Sequence, residues 1–252
     1  EKPDLLLTID YRASYREIIN AVRAPVILWA RDPRDPGDLR RVETLRIPGQ
    51  EGVVPQGISD PRAHTFGQVD RRARWRLRRI LLATTAEAFI DKLPATYAVR
   101  PRQAFELPNI VQIPPLPAPR SPTPGFVFLA RLDPIKRPWV LVEVAGRMPH
   151  AEFLVLGRAY LTGPGAWQPE DVPPNVRFLD HVEGAAKTEA LASSWALVNT
   201  AISESLAVSF LEALAVRTPL VSCVDPDTVV SRFGMFVGRW DGDGMESVPA
   251  FV

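Results

Sequence analysis

Residues 195–216 read WALVNTAISESLAVSFLEALAV, and this stretch decides the fold class. The apolar run 195–199 is typical of a buried strand, and residues 208–216 carry the apolar spacing of a helix. Two carboxylates, Glu204 and Glu212, lie between the end of the strand and the first turns of the helix. Open α/β sheets bind ligands at the carboxyl ends of their strands. These two acidic side chains are therefore candidates for a binding site.

The spacing of the two carboxylates proves little by itself. Among fourteen glutamates, about one pair eight residues apart is expected by chance. Glu43 and Glu51 have the same spacing, but Pro48 and Gly49 between them exclude a helix there. Ser209 and Glu212 also fit a capping box, a purely structural arrangement at a helix start. The context of the pair must decide between these interpretations.

Around this stretch the pattern alternates regularly between strands and helices. Strands are predicted at 125–130, 152–157, 176–179, 195–199, 219–224 and 235–237, and helices at 137–148, 185–194, 208–216 and 228–233. Such alternation indicates a parallel sheet with right-handed crossovers. Residues 125–252 are therefore predicted to form a Rossmann-like α/β domain.

The region before residue 125 has a weaker pattern of the same kind. Strands are predicted at 5–9, 26–29 and 81–84, a helix at 15–23, a basic helix at 69–82, and a capping box at 84–87 that opens a helix to residue 93. Residues 31–67 resist assignment. Seven prolines fall within 108–124 and make it a linker. Residues 1–107 are therefore predicted to be a partial Rossmann-like domain.

Composition restricts the classes of function. The chain has 46% hydrophobic and 23% charged residues and a net charge of +1, which fits a soluble globular protein without a general attraction to nucleic acid. The single cysteine, Cys223, lies in an apolar run and suggests a buried thiol in a reducing compartment. With no signal peptide or membrane-spanning run in the sequence, we expect a cytoplasmic protein. The run from Arg71 to Arg79 allows two interpretations, a solvated helix or peripheral contact with the inner face of a membrane.

Two cations stand at the end of the strand 125–130. Arg131 and Lys136 precede the helix 137–148, where a guanidinium, an ammonium and the N–H groups of a helix start suit a diphosphate. A solvated basic turn is the alternative. No Gly-x-Gly-x-x-Gly or Walker loop follows any strand, which weakens a nicotinamide or P-loop interpretation.

The remaining polar groups give weaker signals. Asp225 with Asp227, and Asp241 with Asp243, resemble acid pairs, but Asp227 is better explained as the N-cap of a helix, and no bound metal or cofactor is predicted. His181 follows a strand end and lies either at the cleft or simply in a loop.

Four segments taken in order resemble the nucleotide-sugar domain of family 4 retaining glycosyltransferases (glycosyl transferases group 1). They are FLARLDPIK at 128–136, FLVLG at 153–157, NVRFLDHV at 175–182, and ESLAVSFLE at 204–212 followed by ALA. Their order, intervals and predicted elements match over about residues 125–240, and Leu107-Pro-Asn109 matches the approach to the family's linker. The resemblance implies a GT-B fold, in which two Rossmann-like domains face each other across a cleft.

The resemblance also implies roles for individual residues. Arg131 and Lys136 would hold the diphosphate of a nucleotide-sugar donor, such as a UDP- or GDP-sugar, and Glu204 would bind the hydroxyls of its sugar. Glu212 would hold the ribose, Ser205, Leu206 and Ala207 would lie against the donor, and the backbone near His181 and Val182 would meet the base. The implied reaction transfers a hexose to an acceptor hydroxyl of an unidentified glycan, lipid or small molecule, without metal and with retention of anomeric configuration.

The chain also departs from the family pattern. Ser205-Leu206-Ala207 stands where the family usually has Gly-Phe-Gly, and Asp180 stands where it often has glycine. The early, glycine-rich part of the acceptor domain has no counterpart, so the chain is interpreted as a fragment. Two alternatives therefore remain open. They are a noncatalytic nucleotide-sugar-binding module and a GT-B sugar-nucleotide epimerase.

Overall fold

The computed structural model describes residues 3–10, 15–57, 80–97, 103–114 and 119–252. It contains two compact units. Unit 1 comprises Glu1–Arg40 and Ser59–Asn109, and unit 2 comprises Arg41–Ile58 and Ile110–Val252. Residues 69–79 of the predicted basic helix 69–82 lie outside the described residues. They include the run from Arg71 to Arg79.

Unit 1 is built on a parallel sheet of four strands that follow one another in chain order. These strands are β1 (Leu6–Ile9), β2 (Val26–Ala30), β3 (Leu81–Thr84) and β4 (Ala104–Glu106). The helices are α1 (Arg16–Ala21), α2 (Pro36–Glu43), a 3₁₀ turn at Glu87–Lys92 and α3 (Leu93–Tyr97). Helix α2 begins in unit 1 and ends in unit 2.

Unit 2 contains a parallel sheet of six strands. They are β5 (Gly125–Leu129), β6 (Glu152–Leu156), β7 (Val176–Phe178), β8 (Ala196–Asn199), β9 (Leu220–Ser222) and β10 (Gly234–Phe236). The helices are α4 (Pro138–Arg147), α5 (Gly184–Ser193), α6 (Val208–Ala215), α7 (Val229–Phe233) and α8 (Val248–Phe251), with 3₁₀ turns at Pro134–Lys136, Pro226–Thr228 and Met245–Ser247.

The strand order of unit 2 determines where a ligand can bind. Across the sheet the strands run β7-β6-β5-β8-β9-β10, which is the doubly wound order 3-2-1-4-5-6. The order in which strands are added to the sheet reverses at the neighbouring parallel strands β5 and β8. The strands β6 and β7 lie on one side of β5, and β8 to β10 lie on the other. In sheets of this type the crevice at the carboxyl ends of the two strands flanking the reversal is the ligand site.

Both faces of this sheet are covered, which explains its apolar strands. On one face Phe128 and Phe153 pack with Trp139 of α4. On the other face Val127 and Leu197 pack with Phe210 of α6. Gly157, directly after β6, allows close approach to β5, because a Cβ there would lie 1.8 Å from the carbonyl oxygen of Ala130.

The predicted α/β class with two parallel sheets is confirmed, and the predicted strands of unit 2 lie within two residues of those observed. The sequence did not reveal α2, β4 or α8. Two predicted caps are wrong. Thr84 lies in β3 and its hydroxyl donates to the carbonyl of Ala86, so no capping box opens the turn that follows. The carboxylate that accepts from the first turn of α7 belongs to Asp225, at 2.8 Å from the Val230 nitrogen, and not to Asp227.

The predicted domain boundary also needs correction. The sequence predicts that residues 1–107 form one domain, whereas residues 41–58 belong to unit 2. Val42, Leu45 and Ile47 are at most 3% exposed and pack in the same core as Phe128 and Trp139. This tertiary packing is invisible to a local pattern. The described parts of 108–124 contain no helix or strand.

Within the described parts of the chain, no helix combines the length and the apolar character needed to cross a membrane.

Candidate functional site

The crevice between β5 and β8 brings together two of the residues predicted from the sequence. Lys136 ends the 3₁₀ turn after β5, and Glu204 lies in the loop after β8. The Lys136 ammonium donates to Glu204 Oε1, and the two side chains are only 17% and 11% exposed. Asn199, the last residue of β8, also directs its amide nitrogen to this carboxylate oxygen at 3.4 Å. The pair therefore forms a partly buried, charged centre at the position where such sheets bind ligands.

Hydrogen bonds from side chains and from the main chain hold the two loops that carry this pair in place. The Thr200 hydroxyl donates to the carbonyl oxygen of Lys136 at 2.7 Å, and the Ile202 nitrogen donates to that of Ile135 at 3.0 Å. The amide oxygen of Asn199 accepts from the Ala201 nitrogen at 3.1 Å. The two loops are thus joined by hydrogen bonds other than the Lys136–Glu204 ion pair.

Arg137 was not predicted as a site residue from the sequence, but its buried side chain binds the same loops. Its side chain is fully buried and donates to the carbonyl oxygens of Thr200 (2.7 Å), Ala201 (3.3 Å) and Trp240 (2.8 Å). Burial lowers the pKa of its guanidinium. Close packing also requires Gly244, because a Cβ there would lie 2.4 Å from Arg137 Nη1. Arg137 directly follows Lys136, and nothing in the local sequence pattern distinguishes it from a solvated residue.

Arg131 is the exposed cation of the site. Its side chain is 67% exposed, and Nη2 lies 3.0 Å from Oδ2 of Asp133, a carboxylate that is only 6% exposed. An exposed ion pair of this kind adds little to stability. Because Asp133 is fixed by burial, the pair instead restricts where the guanidinium can point.

Glu212 lies on α6 and pairs with a residue that the sequence did not single out. Its Oε1 accepts from Lys187 Nζ of α5 at 2.7 Å, and both side chains are about a quarter exposed. The capping-box alternative is wrong, because α6 begins after Ala207 with no side-chain cap and Ser209 lies inside the helix. Glu212 is therefore available at the surface between α5 and α6.

The segment from Ser205 to Ala207 connects the two carboxylate positions. Leu206 is buried, whereas Ser205 and Ala207 are half-buried. Ala207 packs against the core that contains Phe210, so its methyl group has a structural contact. The three residues lie in the β8–α6 loop, as the resemblance implies.

His181 and Val182 lie after β7, at the edge strand of the sheet. His181 is exposed, and its Nε2 lies 2.7 Å from Oε1 of Glu183. This contact lowers the pKa of Glu183. Val182 packs partly against the core of unit 2. Asp180 has a φ of +59°, a left-handed conformation that favours glycine, which the family often has there. Its carboxylate accepts from Arg158, and this hydrogen bond lowers the pKa of Asp180.

The other candidate groups from the sequence are buried or have partners that indicate a structural role. Cys223 is 1% exposed, and burial raises the pKa of its thiol, which does not suit a nucleophile. Asp241 pairs with Arg41 at 2.8 Å, and Asp243 Oδ1 accepts from the Met245 nitrogen at 3.0 Å. Among the described residues, no group of three or more His, Cys, Asp or Glu side chains could hold a metal ion.

Comparison with known proteins bears on unit 2. Residues 123–238 match the family described as Glycosyl transferases group 1. This matched range lies within unit 2. The matched range contains Arg131, Lys136, Glu204 and Glu212, together with Arg137 and Lys187. A sequence search against curated proteins finds no match.

Solved structures extend the likeness to both units. The chain is similar to the GtfA/B complex (TM-score 0.62, 12% identity), to Anabaena Alr3699/HepE in complex with UDP-glucose (0.66, 13%) and to sucrose-phosphate synthase from Thermosynechococcus elongatus (0.63, 13%). These alignments cover 100%, 98% and 98% of this chain. At this identity they show the fold alone, and that fold is of the GT-B type with Rossmann-like units.

The chain is shorter than these structures. It spans 50% of the matched chain of the GtfA/B complex, 68% of HepE and 69% of sucrose-phosphate synthase.

Proposed function

We propose that this chain binds a nucleotide-sugar donor and serves a glycosyltransferase that moves a hexose to an acceptor hydroxyl with retention of anomeric configuration. The observation that carries the proposal is the Lys136–Glu204 pair in the crevice between β5 and β8. A cation for phosphate and a carboxylate for hydroxyl groups suit the two halves of one nucleotide sugar. The match of residues 123–238 to glycosyl transferases group 1 supports the same assignment.

Each site residue then has a defined task. Arg131 and Lys136 bind the diphosphate and stabilise the charge that grows on the leaving phosphate during transfer. Glu204 accepts hydrogen bonds from hydroxyls of the donor sugar, and Glu212 accepts those from the ribose. The backbone at His181 and Val182 contacts the base. The acceptor attacks on the face that the diphosphate leaves, through an oxocarbenium-like state and without a metal ion.

The proposed donor is a UDP-sugar, with a GDP-sugar as the alternative. Support comes from structures similar to this one, since HepE was solved with UDP-glucose and the pneumococcal O-GlcNAc transferase GtfA with UDP and GlcNAc. Cytoplasmic location belongs to the proposal as well, and for the run from Arg71 to Arg79 a solvated face and peripheral contact with the inner face of a membrane both stay open. No described histidine lies in the β5–β8 crevice to favour an epimerase.

Binding of the diphosphate is tested by isothermal titration calorimetry with UDP, GDP and ADP. We expect Arg131→Ala and Lys136→Ala each to weaken the binding of the preferred nucleotide at least tenfold, about 1.4 kcal/mol, without unfolding. Arg147→Ala is the matched control, because Arg147 is a half-exposed arginine of the same unit that pairs only with Glu143 on its own helix. Unchanged affinity in both site variants would refute the phosphate assignment.

Transfer is tested separately with UDP-sugars and GDP-sugars and a panel of acceptors. We expect release of nucleoside diphosphate that depends on the acceptor, and a product with the donor's anomeric configuration. Binding of a nucleotide sugar without transfer or hydrolysis would instead support the noncatalytic module.

A further inference from the structure

Residues 44–57, here named the strap, occupy an unexpected position. In the chain they follow β2 and α2, yet they belong to unit 2. Leu45 and Ile47 anchor the strap in the core beside Trp139. The Thr44 hydroxyl oxygen accepts from the Gly242 nitrogen at 2.9 Å and fixes its start. The strap is therefore an integral part of the donor-binding unit.

Two glutamines join the strap to the loop after β6, residues 158–167. Gln50 accepts from the Gly165 nitrogen and donates to the Ala166 carbonyl, both at 2.8 Å. The Gln56 nitrogen donates to the Gly165 carbonyl at 2.6 Å, and its side-chain amide donates to Thr162 and Pro164 carbonyls at 3.0 and 2.6 Å. The strap thus provides hydrogen-bond partners for carbonyl and N–H groups of the loop. These groups would otherwise need water.

The far end of the strap lies beside the partner of Arg131. A Cβ at Gly57 would lie 4.0 Å from Cβ and Cγ of Asp133 and 3.2 Å from Leu161 of the loop. Asp133 is the buried carboxylate that holds the guanidinium of Arg131. The Leu132 nitrogen also donates to the Arg158 carbonyl at 2.9 Å, which ties the Arg131 segment to the start of the loop. The strap is therefore hydrogen-bonded to the loop 158–167, and its far end lies beside Asp133.

We propose that the strap is a positioning element for diphosphate binding. By fixing Asp133 and the loop 158–167, it holds the guanidinium of Arg131 in the orientation that a diphosphate needs. This inference rests on the proposed function, and it assigns a role to Gln50, Gln56 and Gly57. If Arg131 were free to adopt several rotamers, diphosphate binding would also have to order its side chain. The lost conformational freedom would weaken the affinity for the diphosphate.

Two glycines of the loop provide a matched test. Gly165 and Gly163 have nearly the same positive φ, +81° and +78°, so alanine carries a similar backbone cost at each. A Cβ at 165 would lie 2.3 Å from the Val54 carbonyl oxygen of the strap, whereas a Cβ at 163 meets nothing within 4 Å. Gly165→Ala therefore displaces the strap and Gly163→Ala does not.

We expect Gly165→Ala to weaken binding of UDP, GDP or ADP, whichever binds the wild type most tightly, about five- to tenfold. Gly163→Ala should stay within twofold of the wild type. Titrations are carried out well below the melting temperature of each variant, so that both are fully folded. A loss of melting temperature in Gly165→Ala without a loss of affinity would overturn the inference.

A double-mutant cycle with Arg131→Ala separates positioning from general loosening of the unit. If the strap acts through Arg131, Gly165→Ala should cause little further loss of affinity in the Arg131→Ala background. Full additivity of the two losses would overturn the inference. A wild-type chain that binds none of the three nucleotides would refute the proposed function itself, and the inference with it. Tight wild-type binding that is unaffected by Gly165→Ala would refute the inference alone.

Discussion

Lys136 and Glu204 neutralise each other in the structure, and this affects how a ligand can bind. The pair is partly buried, so solvent screens it less than an exposed pair. An incoming diphosphate must compete with Glu204 for the ammonium. If the sugar hydroxyls engage Glu204 at the same time, both halves of the pair exchange partners together. A complete donor would therefore be favoured over a free nucleoside diphosphate.

Glu204→Gln is expected to separate these two effects. Removing the charge releases Lys136 from its partly buried ion pair, so affinity for the free nucleoside diphosphate should rise, about fivefold for each ~1 kcal/mol that the pair contributes. Affinity for the sugar nucleotide should rise less or fall, because the acceptor of sugar hydroxyls is weakened. Calorimetric titration of both ligands measures the ratio. Weaker binding of the free diphosphate would contradict this role of the pair.

Ser209 and Glu212 provide a second test at the residue level. Because Ser209 lies inside α6 and caps nothing, Ser209→Ala should leave the melting temperature within about 1 °C, as surface substitutions usually do. Glu212→Gln loses the charge that pairs with Lys187 and should weaken nucleotide binding, with only a small loss of stability. Thermal denaturation and titration of the two variants side by side check this. A lowered melting temperature in Ser209→Ala would restore the capping interpretation.

At the level of elements, the sequence predicted the strands and helices whose apolar spacing is clear within a short segment. The strands of unit 2 were predictable because both faces of the sheet are covered, which makes each strand a nearly continuous apolar run. Helix α2 was missed because its sequence, PGDLRRVE, starts with proline and glycine and buries only Val42. The order of motifs singled out Arg131, Lys136, Glu204 and Glu212, and their roles stay a prediction. Arg137 and Lys187 were not singled out, because their hydrogen-bond partners are distant in the chain.

The turn before α7 gives a prediction with opposite signs at two aspartates. Asp225 accepts from the Val230 and Ser231 nitrogens at 2.8 and 3.1 Å, so Asp225→Ala should cost about 1 kcal/mol, as the loss of a helix cap does. Asp227 has a φ of +52°, so Asp227→Gly relieves a left-handed conformation and should be neutral or slightly stabilising. Chemical denaturation measures both. Equal destabilisation by the two changes would contradict the assignment of the cap.

At the level of the whole molecule, two parallel sheets were predictable, but the course of the chain between the units was not. The sequence divides the chain once, at the proline-rich segment, whereas the structure also crosses the boundary near residues 40 and 58. The residues that cause the extra crossing, such as Leu45 and Ile47, are apolar in a region rich in Pro, Gly and Asp. Their apolar side chains indicate that these residues are buried. They do not indicate whether the residues pack in the core of unit 1 or in that of unit 2.

Leu45→Ala tests this membership. Leu45 is 1% exposed in the core of unit 2, so its truncation should cost 2–5 kcal/mol. Val54→Ala is the control within the same segment, because Val54 is 80% exposed and should change stability by less than about 0.5 kcal/mol. Chemical denaturation gives the loss, and hydrogen exchange should locate it in unit 2. Increased exchange confined to unit 1 would contradict the assignment.

The position of the strap has a consequence for the order in which the molecule folds. Val42 shares one core with Val248, so the first and last parts of unit 2 are separated by almost the whole chain. Contacts of such high sequence separation form slowly, because a long loop must close before they contribute. During synthesis the strap emerges early and must wait, with Leu45 and Ile47 unburied, until the strands from β5 onward have been made. A nascent chain would thus expose this segment to chaperones, and unit 2 would be completed only after the segment that contains Val248 has been made.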